Sequence, residues 1–95
     1  MFIVNLTYIK PLEEVKKYLD EHITFLNKYY ESNNFICSGP KNPRTGGVII
    51  CNAKNMEDVN EIISEDPFNT NGIANYDILE FHLTNYAEDF KAFVE

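Results

Sequence analysis

Apolar residues along this chain alternate between two spacings, and each spacing belongs to a different backbone structure. An apolar residue at every second position is typical of a strand, whereas one at every third or fourth position is typical of an amphipathic helix. The strand-like segments are residues 2–9, 35–38, 47–52 and 73–83, and the helix-like segments are residues 11–32 and the stretch that begins near Asn55. The order β-α-β-β-α-β predicts the ferredoxin-like α+β fold, in which a four-stranded antiparallel sheet carries two helices on one face.

Both predicted helices have recognisable ends. The first follows Pro11, which suits a first helical turn, and should stop at Asn33, because asparagine tolerates the left-handed conformation that ends helices. Its apolar positions are Leu12, Val15, Leu19, Ile23, Leu26 and Tyr30. The second helix has a good N-cap in Asn55, with Asp58 three residues later. Its predicted buried stripe is Met56, Val59, Ile62 and Ile63.

The length of 95 residues suits one domain, and we expect residues 1–95 to form it. Residues 66–72 break the helical pattern before the last strand, since they contain Pro67 and Gly72. The last part of the chain, residues 85–95, is expected to be a C-terminal extension with a short helix that carries Tyr86, Phe90 and Phe93.

The sheet face without helices presents a problem that a partner would solve. We expect Tyr8, Tyr76 and Ile78 to lie on this open face, with His82 beside Glu80 in an interface hydrogen bond. An apolar sheet face of this size usually marks an interface. The simplest cover is a second copy of the chain, sheet against sheet about a two-fold axis, so the sequence predicts a homodimer.

Charge and hydropathy limit the partners and the location. Eight basic and 15 acidic residues give a net charge of −7, which disfavours nucleic acid and anionic lipid as partners. No apolar run approaches the ~20 residues of a membrane helix, and the N-terminus lacks the features of a signal peptide. Cys37 and Cys51 are more typical of reduced cysteines than of a disulfide or a metal site. We therefore expect a cytoplasmic protein.

His22 is the residue that suggests chemistry. It occurs in the helical run Val15, Leu19, His22, Leu26 and Tyr29, so it should point toward the core or its rim. A buried imidazole needs hydrogen-bond partners, and a structural histidine bonded to one carbonyl is one interpretation. A general acid or base is the other, since the unperturbed pKa of histidine, ~6.5, suits proton transfer near neutral pH.

Asp66 is the second candidate, because it follows the second helix, whose negative C-terminal end disfavours a carboxylate. It could simply open a turn with Pro67. Alternatively, it could accept a hydrogen bond from His22, since both helices lie on the same sheet face. A carboxylate on one ring nitrogen fixes the tautomer and raises the basicity of the other nitrogen.

Ser38-Gly39-Pro40 is a third feature, at the end of the second strand. Ser38 could donate a hydrogen bond to a bound oxygen, and Gly39 allows close approach of a ligand; a plain turn is equally consistent. Lys41 and Arg44, in the loop that follows, could attract an anion or could be solvated surface. Only His22 and Asp66 are expected to converge, so no metal site is predicted, and no nucleotide-binding motif indicates a cofactor.

Taken in order, these segments resemble the YciI-like family of the dimeric α+β barrel superfamily. The matching pieces span about residues 1–83: the strand Phe2 to Tyr8, His22 followed by Leu26, Ser38-Gly39-Pro40, Gly46-Gly47, Asp66-Pro67-Phe68, and Gly72-Ile73 through Tyr76 to Phe81. The resemblance implies that His22 and Asp66 form the active-site pair. It also implies that Ser38, Gly39 and Phe68 line the same cleft. The loop 41–45 and the acidic, aromatic tail 85–95 depart from the family pattern.

Three functions follow as hypotheses. The first is a small enzyme of the cofactor-free lyase or isomerase type, in which His22 moves a proton on a small anionic or carbonyl-containing metabolite and Asp66 orients His22. Ser38 and the Gly39 amide would then bind the developing oxyanion. The second is a non-catalytic module that binds or senses a small acid in the same pocket. The third is a purely structural partner that acts through its sheet face.

Overall fold

The computed structural model of the protein describes residues 1–94 and arranges them as a four-stranded antiparallel sheet with helices on one face. The strands are β1 (Phe2–Tyr8), β2 (Phe35–Pro40), β3 (Gly46–Cys51) and β4 (Ala74–Glu80). The helices are α1 (Leu12–Lys17), α2 (Leu19–Glu31), α3 (Met56–Ile63) and α4 (Pro67–Thr70), and a 3₁₀ helix spans Glu88–Phe93. The predicted α+β, ferredoxin-like fold is confirmed.

The sheet has the order β2-β3-β1-β4, so β1 lies inside the sheet and pairs with β3 and β4. Every pairing is antiparallel, and β2 and β3 form the predicted hairpin. In this register Leu6 of β1 lies opposite Gly47 of β3 and Tyr76 of β4. Residues directly opposite each other in a sheet share a face, so the register assigns each side chain to one of two faces.

The register corrects the prediction of which residues lie on the open face. Phe2, Val4 and Leu6 are fully buried under the helices. Tyr76 and Ile78 pair with Leu6 and Val4, and therefore lie on this helix-covered face as well. Tyr8 follows the same alternation, and its ring packs edge-on against buried Phe68 at 5.9 Å between ring centroids. The residues predicted to bind a partner copy thus belong to the core side.

The face that lacks helices carries other side chains. We call it the open sheet face, and its members include Ile3, Asn5, Thr7, Val48, Ile50 and Leu79. Leu79 is 60% exposed. His82, expected on this face beside Glu80, instead lies beyond the end of β4 and is exposed, while Glu80 pairs with buried Phe2.

The first predicted helix is divided in two. The backbone leaves helical geometry at Tyr18, whose φ and ψ are −111° and 5°, and α2 begins at the next residue. This break lets Val15 of α1 and His22, Phe25 and Tyr29 of α2 all reach the core. Leu12 and Ile23, expected in the buried stripe, are exposed instead.

Asn55 caps α3 as predicted, because its side chain accepts a hydrogen bond from the amide of Asp58 at 2.9 Å. The segment expected to be irregular contains one further helical turn, α4, and Asp66 is its N-cap. The dipole of α4 therefore stabilises the Asp66 carboxylate, since the N-terminal end of a helix favours a negative charge, whereas the sequence predicted an unfavourable helix end.

The C-terminal segment forms the short helix that was expected. It carries Phe90 and Phe93, whereas Tyr86 precedes it; Glu95 lies outside the described residues. Within residues 1–94, no helix is both long and apolar enough to cross a bilayer.

Candidate active site

His22 lies on the sheet-facing side of α2 and is buried. Its imidazole stacks on the ring of Phe68, with 4.0 Å between centroids and 8° between ring planes. Phe68 belongs to α4, so the stacking joins α2 to the segment that carries Asp66. The imidazole is therefore fixed in orientation by its packing before any hydrogen bond is considered.

Asp66 holds the imidazole from behind. His22 Nδ1 and Asp66 Oδ1 are 2.7 Å apart, and the carboxylate of Asp66 is completely buried. The same Oδ1 atom accepts a hydrogen bond from the Phe68 amide at 3.0 Å, which is the N-cap bond of α4. One oxygen thus caps the N-terminus of α4 and also binds the histidine, so the backbone of α4 sets the position of the pair.

Tyr76 completes the surroundings of Asp66 and was missed by the sequence analysis. Its hydroxyl donates to Asp66 Oδ2 at 2.5 Å from strand β4. Burial raises the pKa of the Tyr76 phenol well above its usual range, and the adjacent Asp66 charge raises it further. Tyr76 is therefore a permanent donor, and both carboxylate oxygens of Asp66 are hydrogen-bonded.

The arrangement fixes the chemistry of the histidine. An ionised carboxylate only accepts hydrogen bonds, so Nδ1 must carry the proton that His22 shares with Asp66. Nε2 is then the nitrogen with a free lone pair in the neutral ring. Among residues 1–94, Nε2 has no hydrogen-bond partner, and His22 lines a cavity. The geometry suits an imidazole that takes up or releases a proton at Nε2.

Ser38 reaches the same side of the sheet because of a β-bulge. The pairing of β2 with β3 shifts between Phe35 and Cys37. Regular alternation from buried Phe35 would turn Ser38 to the open sheet face, but the extra residue turns it to the helix-covered face. There its hydroxyl lies 2.5 Å from the hydroxyl of Tyr30 in α2.

Gly39 lines the cavity, but its amide is committed to the sheet. Lys41 donates to the Gly46 carbonyl at 2.9 Å, and hydrogen-bonded pairs alternate along an antiparallel ladder. Gly39 and Val48 are therefore the next hydrogen-bonded pair. Pro40, which has no N–H, occupies the intervening position. The oxyanion role expected for the Gly39 amide is thus not available, and Ser38 remains the donor of that segment.

The cavity lies between α2 and the sheet and has a volume of about 150 Å³. Apolar residues form most of its walls, and its polar and charged members are few. It is lined by Leu6, Tyr8, Leu19, His22, Ile23, Leu26, Ser38, Gly39, Pro40, Arg44, Gly47, Val48, Ile49 and Phe68. Four of the five residues predicted for the site, namely His22, Ser38, Gly39 and Phe68, line this cavity, and Asp66 lies behind His22.

A second contact ties α2 to the segment before Asp66. Lys28 donates to Glu65 at 2.5 Å, and the hydroxyl of Tyr29 also donates to this carboxylate. The hydrogen bond from Lys28 lowers the pKa of the Glu65 carboxyl, with Tyr29 adding to the effect. This exposed contact links α2 to the residue that precedes Asp66.

Neither a metal cluster nor a disulfide is found in the described part of the chain. Among residues 1–94, no three His, Cys, Asp or Glu side chains converge as metal ligands would. Cys37 and Cys51 are both free.

Comparison with known proteins gives a family and a fold. The family model described as the YCII-related domain matches residues 1–82. A solved structure of 5-chloro-2-hydroxyhydroquinone dehydrochlorinase from Burkholderia phenoliruptrix, in complex with 2,5-dihydroxybenzoquinone, superposes with a TM-score of 0.72. The match covers 86% of this chain and 94% of that chain at 17% identity, which shows a shared fold. No match was found among curated proteins.

Proposed function

The chain belongs to the YCII-related domain family, and from this premise we propose that it is a small-molecule enzyme in which His22 and Asp66 transfer a proton on a carbonyl-containing metabolite. The observation that carries the proposal is the position of His22. Its Nδ1 atom is bound to a buried carboxylate, while the ring lines an otherwise mostly apolar cavity.

The proposed reaction begins with the removal of a proton from a carbon next to a carbonyl group. Nε2 of His22 takes this proton, and Asp66 stabilises the imidazolium that forms while remaining ionised itself. The electron pair of the broken C–H bond moves toward the carbonyl oxygen, which accepts a hydrogen bond from Ser38. The enolate then either expels a leaving group with its bonding electrons or regains the proton at another carbon. The outcome is elimination or isomerisation.

The size of the cavity supports a substrate with one ring. An apolar protein cavity of ~150 Å³ accommodates benzene, and this cavity has about the same volume. The structural neighbour is a dehydrochlorinase that binds 2,5-dihydroxybenzoquinone, a molecule with one six-membered ring. Chloride elimination from a hydroxylated ring is one reaction of the proposed type.

The test measures proton transfer directly. A panel of monocyclic quinols, cyclic enones and lactones, including 5-chloro-2-hydroxyhydroquinone, is incubated with the protein in D₂O. Solvent deuterium uptake and chloride release are then followed by NMR spectroscopy and ion chromatography. We expect His22→Gln to slow exchange by about 10²–10⁴-fold, the range for a placed general base. His82→Gln is the matched control, since His82 is exposed beyond β4.

The result also separates the enzyme from the sensor. A panel member that binds in the cavity, seen as shifts in the His22 resonances, without deuterium uptake or leaving-group release would replace the enzyme with a ligand-binding module. Equal exchange rates in wild type and His22→Gln would contradict the assigned base.

We further propose that two copies associate through the open sheet face. This face carries Ile3, Val48 and Ile50 beside the exposed Leu79. A partner copy would cover these apolar side chains, and an exposed apolar face of this kind is typical of an interface.

Leu79→Glu tests this interface, because the side chain is exposed in the single chain and its replacement should not disturb the core. Sedimentation velocity should show a monomer for Leu79→Glu and a dimer for Leu12→Glu, which alters an exposed leucine on α1. A dimer in both variants would contradict the proposed face. We also propose a cytoplasmic location, because free cysteines such as Cys37 and Cys51 are typical of reducing compartments.

A further inference from the structure

Arg44 is the single arginine of the chain, and it lines the cavity that holds His22. We infer that Arg44 binds the anionic group of a one-ring ligand, a carboxylate or an ionised ring hydroxyl, while the ring occupies the apolar cavity. This inference rests on the site described in the proposed function and names the ligand class that the site takes.

The guanidinium of Arg44 is not engaged elsewhere. Within residues 1–94 it forms no hydrogen bond or ion pair, whereas Lys17 and Lys28 are paired with Glu14 and Glu65. None of the described residues that line the cavity carries a carboxylate. The positive charge at the cavity is therefore not neutralised by a neighbouring side chain.

The backbone around Arg44 is held in place. Thr45, the next residue, donates to the Pro43 carbonyl at 2.8 Å, and its own carbonyl accepts a hydrogen bond from Tyr8 of β1 at 2.9 Å. The loop is closed by Lys41, whose amide donates to Gly46. These bonds tie the loop to the sheet beside the cavity, so the backbone from which the Arg44 side chain extends is held in place.

The overall negative charge of the chain means that an anionic ligand needs a local positive charge at its binding site. A net charge of −7 produces a field that repels an approaching anion. A guanidinium offers several N–H donors in a planar fork, which suits a carboxylate oxygen pair. A single unpaired arginine at the cavity therefore provides the local attraction that an anionic ligand would need.

Lys41 shows that this is a property of one position and not of the whole loop. It belongs to the same loop and has the same charge, but its ammonium group donates to Thr7 Oγ1 at 3.2 Å. Thr7 lies on the open sheet face, on the other side of the sheet from the cavity. Lys41 is thus a matched control with equal charge and a different location.

The experiment compares two probes that differ in one group, 2,5-dihydroxybenzoate and 2,5-dihydroxybenzamide. Isothermal titration calorimetry measures the Kd of each for the full chain. We expect Arg44→Gln to weaken benzoate binding by about 10-fold or more, the lower end for a hydrogen bond to a charged group. Benzamide binding should change by no more than about 2-fold. Arg44→Lys, which keeps the charge, should bind benzoate more tightly than Arg44→Gln.

Three results would overturn the inference. They are equal losses for Lys41→Gln and Arg44→Gln, equal losses for the two probes in Arg44→Gln, and no binding of either probe to the wild type. The ligand class is judged by comparing the Kd of wild type with that of the Arg44 variants. The acid/base role is judged by comparing deuterium uptake in wild type and His22→Gln, so the two proposals can fail separately.

Discussion

Tyr76→Phe removes one hydroxyl and leaves the Oδ2 atom of Asp66 without a donor. Among the described residues, Tyr76 is the donor to Oδ2, since His22 and the Phe68 amide both bind Oδ1. The Asp66 carboxylate is 0% exposed, so water cannot replace the lost hydroxyl without a rearrangement. A hydrogen bond to a charged group contributes about 1.5–3 kcal/mol, and an orphaned buried charge costs more than an orphaned neutral group. We expect the free energy of unfolding to fall by about 2–3 kcal/mol.

Urea denaturation at neutral pH and fixed protein concentration measures this loss. For a domain of this size, each kcal/mol lowers Tm by roughly 4–8 °C, so thermal unfolding gives a second value. Tyr30→Phe is the control, because it removes the same atom from a hydrogen bond with Ser38 that is exposed. The control should cost less than about 1 kcal/mol. A loss for Tyr76→Phe no larger than that of Tyr30→Phe would refute the assignment of Tyr76 as the support of Asp66.

Tyr76→Phe should also change how the free energy of unfolding depends on pH. The pKa of Tyr76 is raised above its usual value of 10.0 in the folded protein, by burial first and by Asp66 second. The folded state therefore holds this proton more tightly than the unfolded state does, and the stability that it contributes is complete below pH ~10 and is lost above it. The slope is about 1.4 kcal/mol per pH unit for one group. The stability difference between wild type and Tyr76→Phe should thus narrow above pH ~10, and a constant difference would contradict the raised pKa.

Two further predictions concern the sheet and the thiols. Gly46→Ala should destabilise the protein by well over the ~1 kcal/mol typical of point substitutions, because a Cβ there would lie 1.8 Å from the backbone oxygen of Leu6; Gly39→Ala, with no atom within 4 Å of its Cβ, should retain the wild-type urea midpoint. Burial raises the pKa of the Cys51 thiol to about 11, so a thiol-reactive dye should label Cys51 only after unfolding.

Much of the candidate site could be predicted from residue types and spacing. His22 stands in a helical run of apolar residues, and the β-α-β-β-α-β order places both helices on one sheet face. The approach of Asp66 to His22 was therefore a reasonable geometric hypothesis. The reason given for Asp66 was wrong, however, since the carboxylate caps α4 at its favourable N-terminal end.

Tyr76 and Ser38 could not be placed in this way. Apolar residues occur on both sides of β4, so the alternation within the strand does not show which side faces the helices. That choice depends on the pairing of Tyr76 with Leu6 in the register of β1 and β4. Ser38 depends on the bulge after Phe35, which inserts one residue and reverses the side on which each later residue of β2 lies.

The sequence by itself determined the order of the elements, the cap at Asn55 and the histidine on the buried side of its helix. These features depend on residues that are near each other in the chain, where steric and hydrogen-bonding preferences act locally. The tertiary structure decided which strand faces are covered, the support of Asp66 by Tyr76, and the location of Arg44 at the cavity. Those contacts join residues far apart in the chain, and strand register and packing fix them only when the whole sheet has formed.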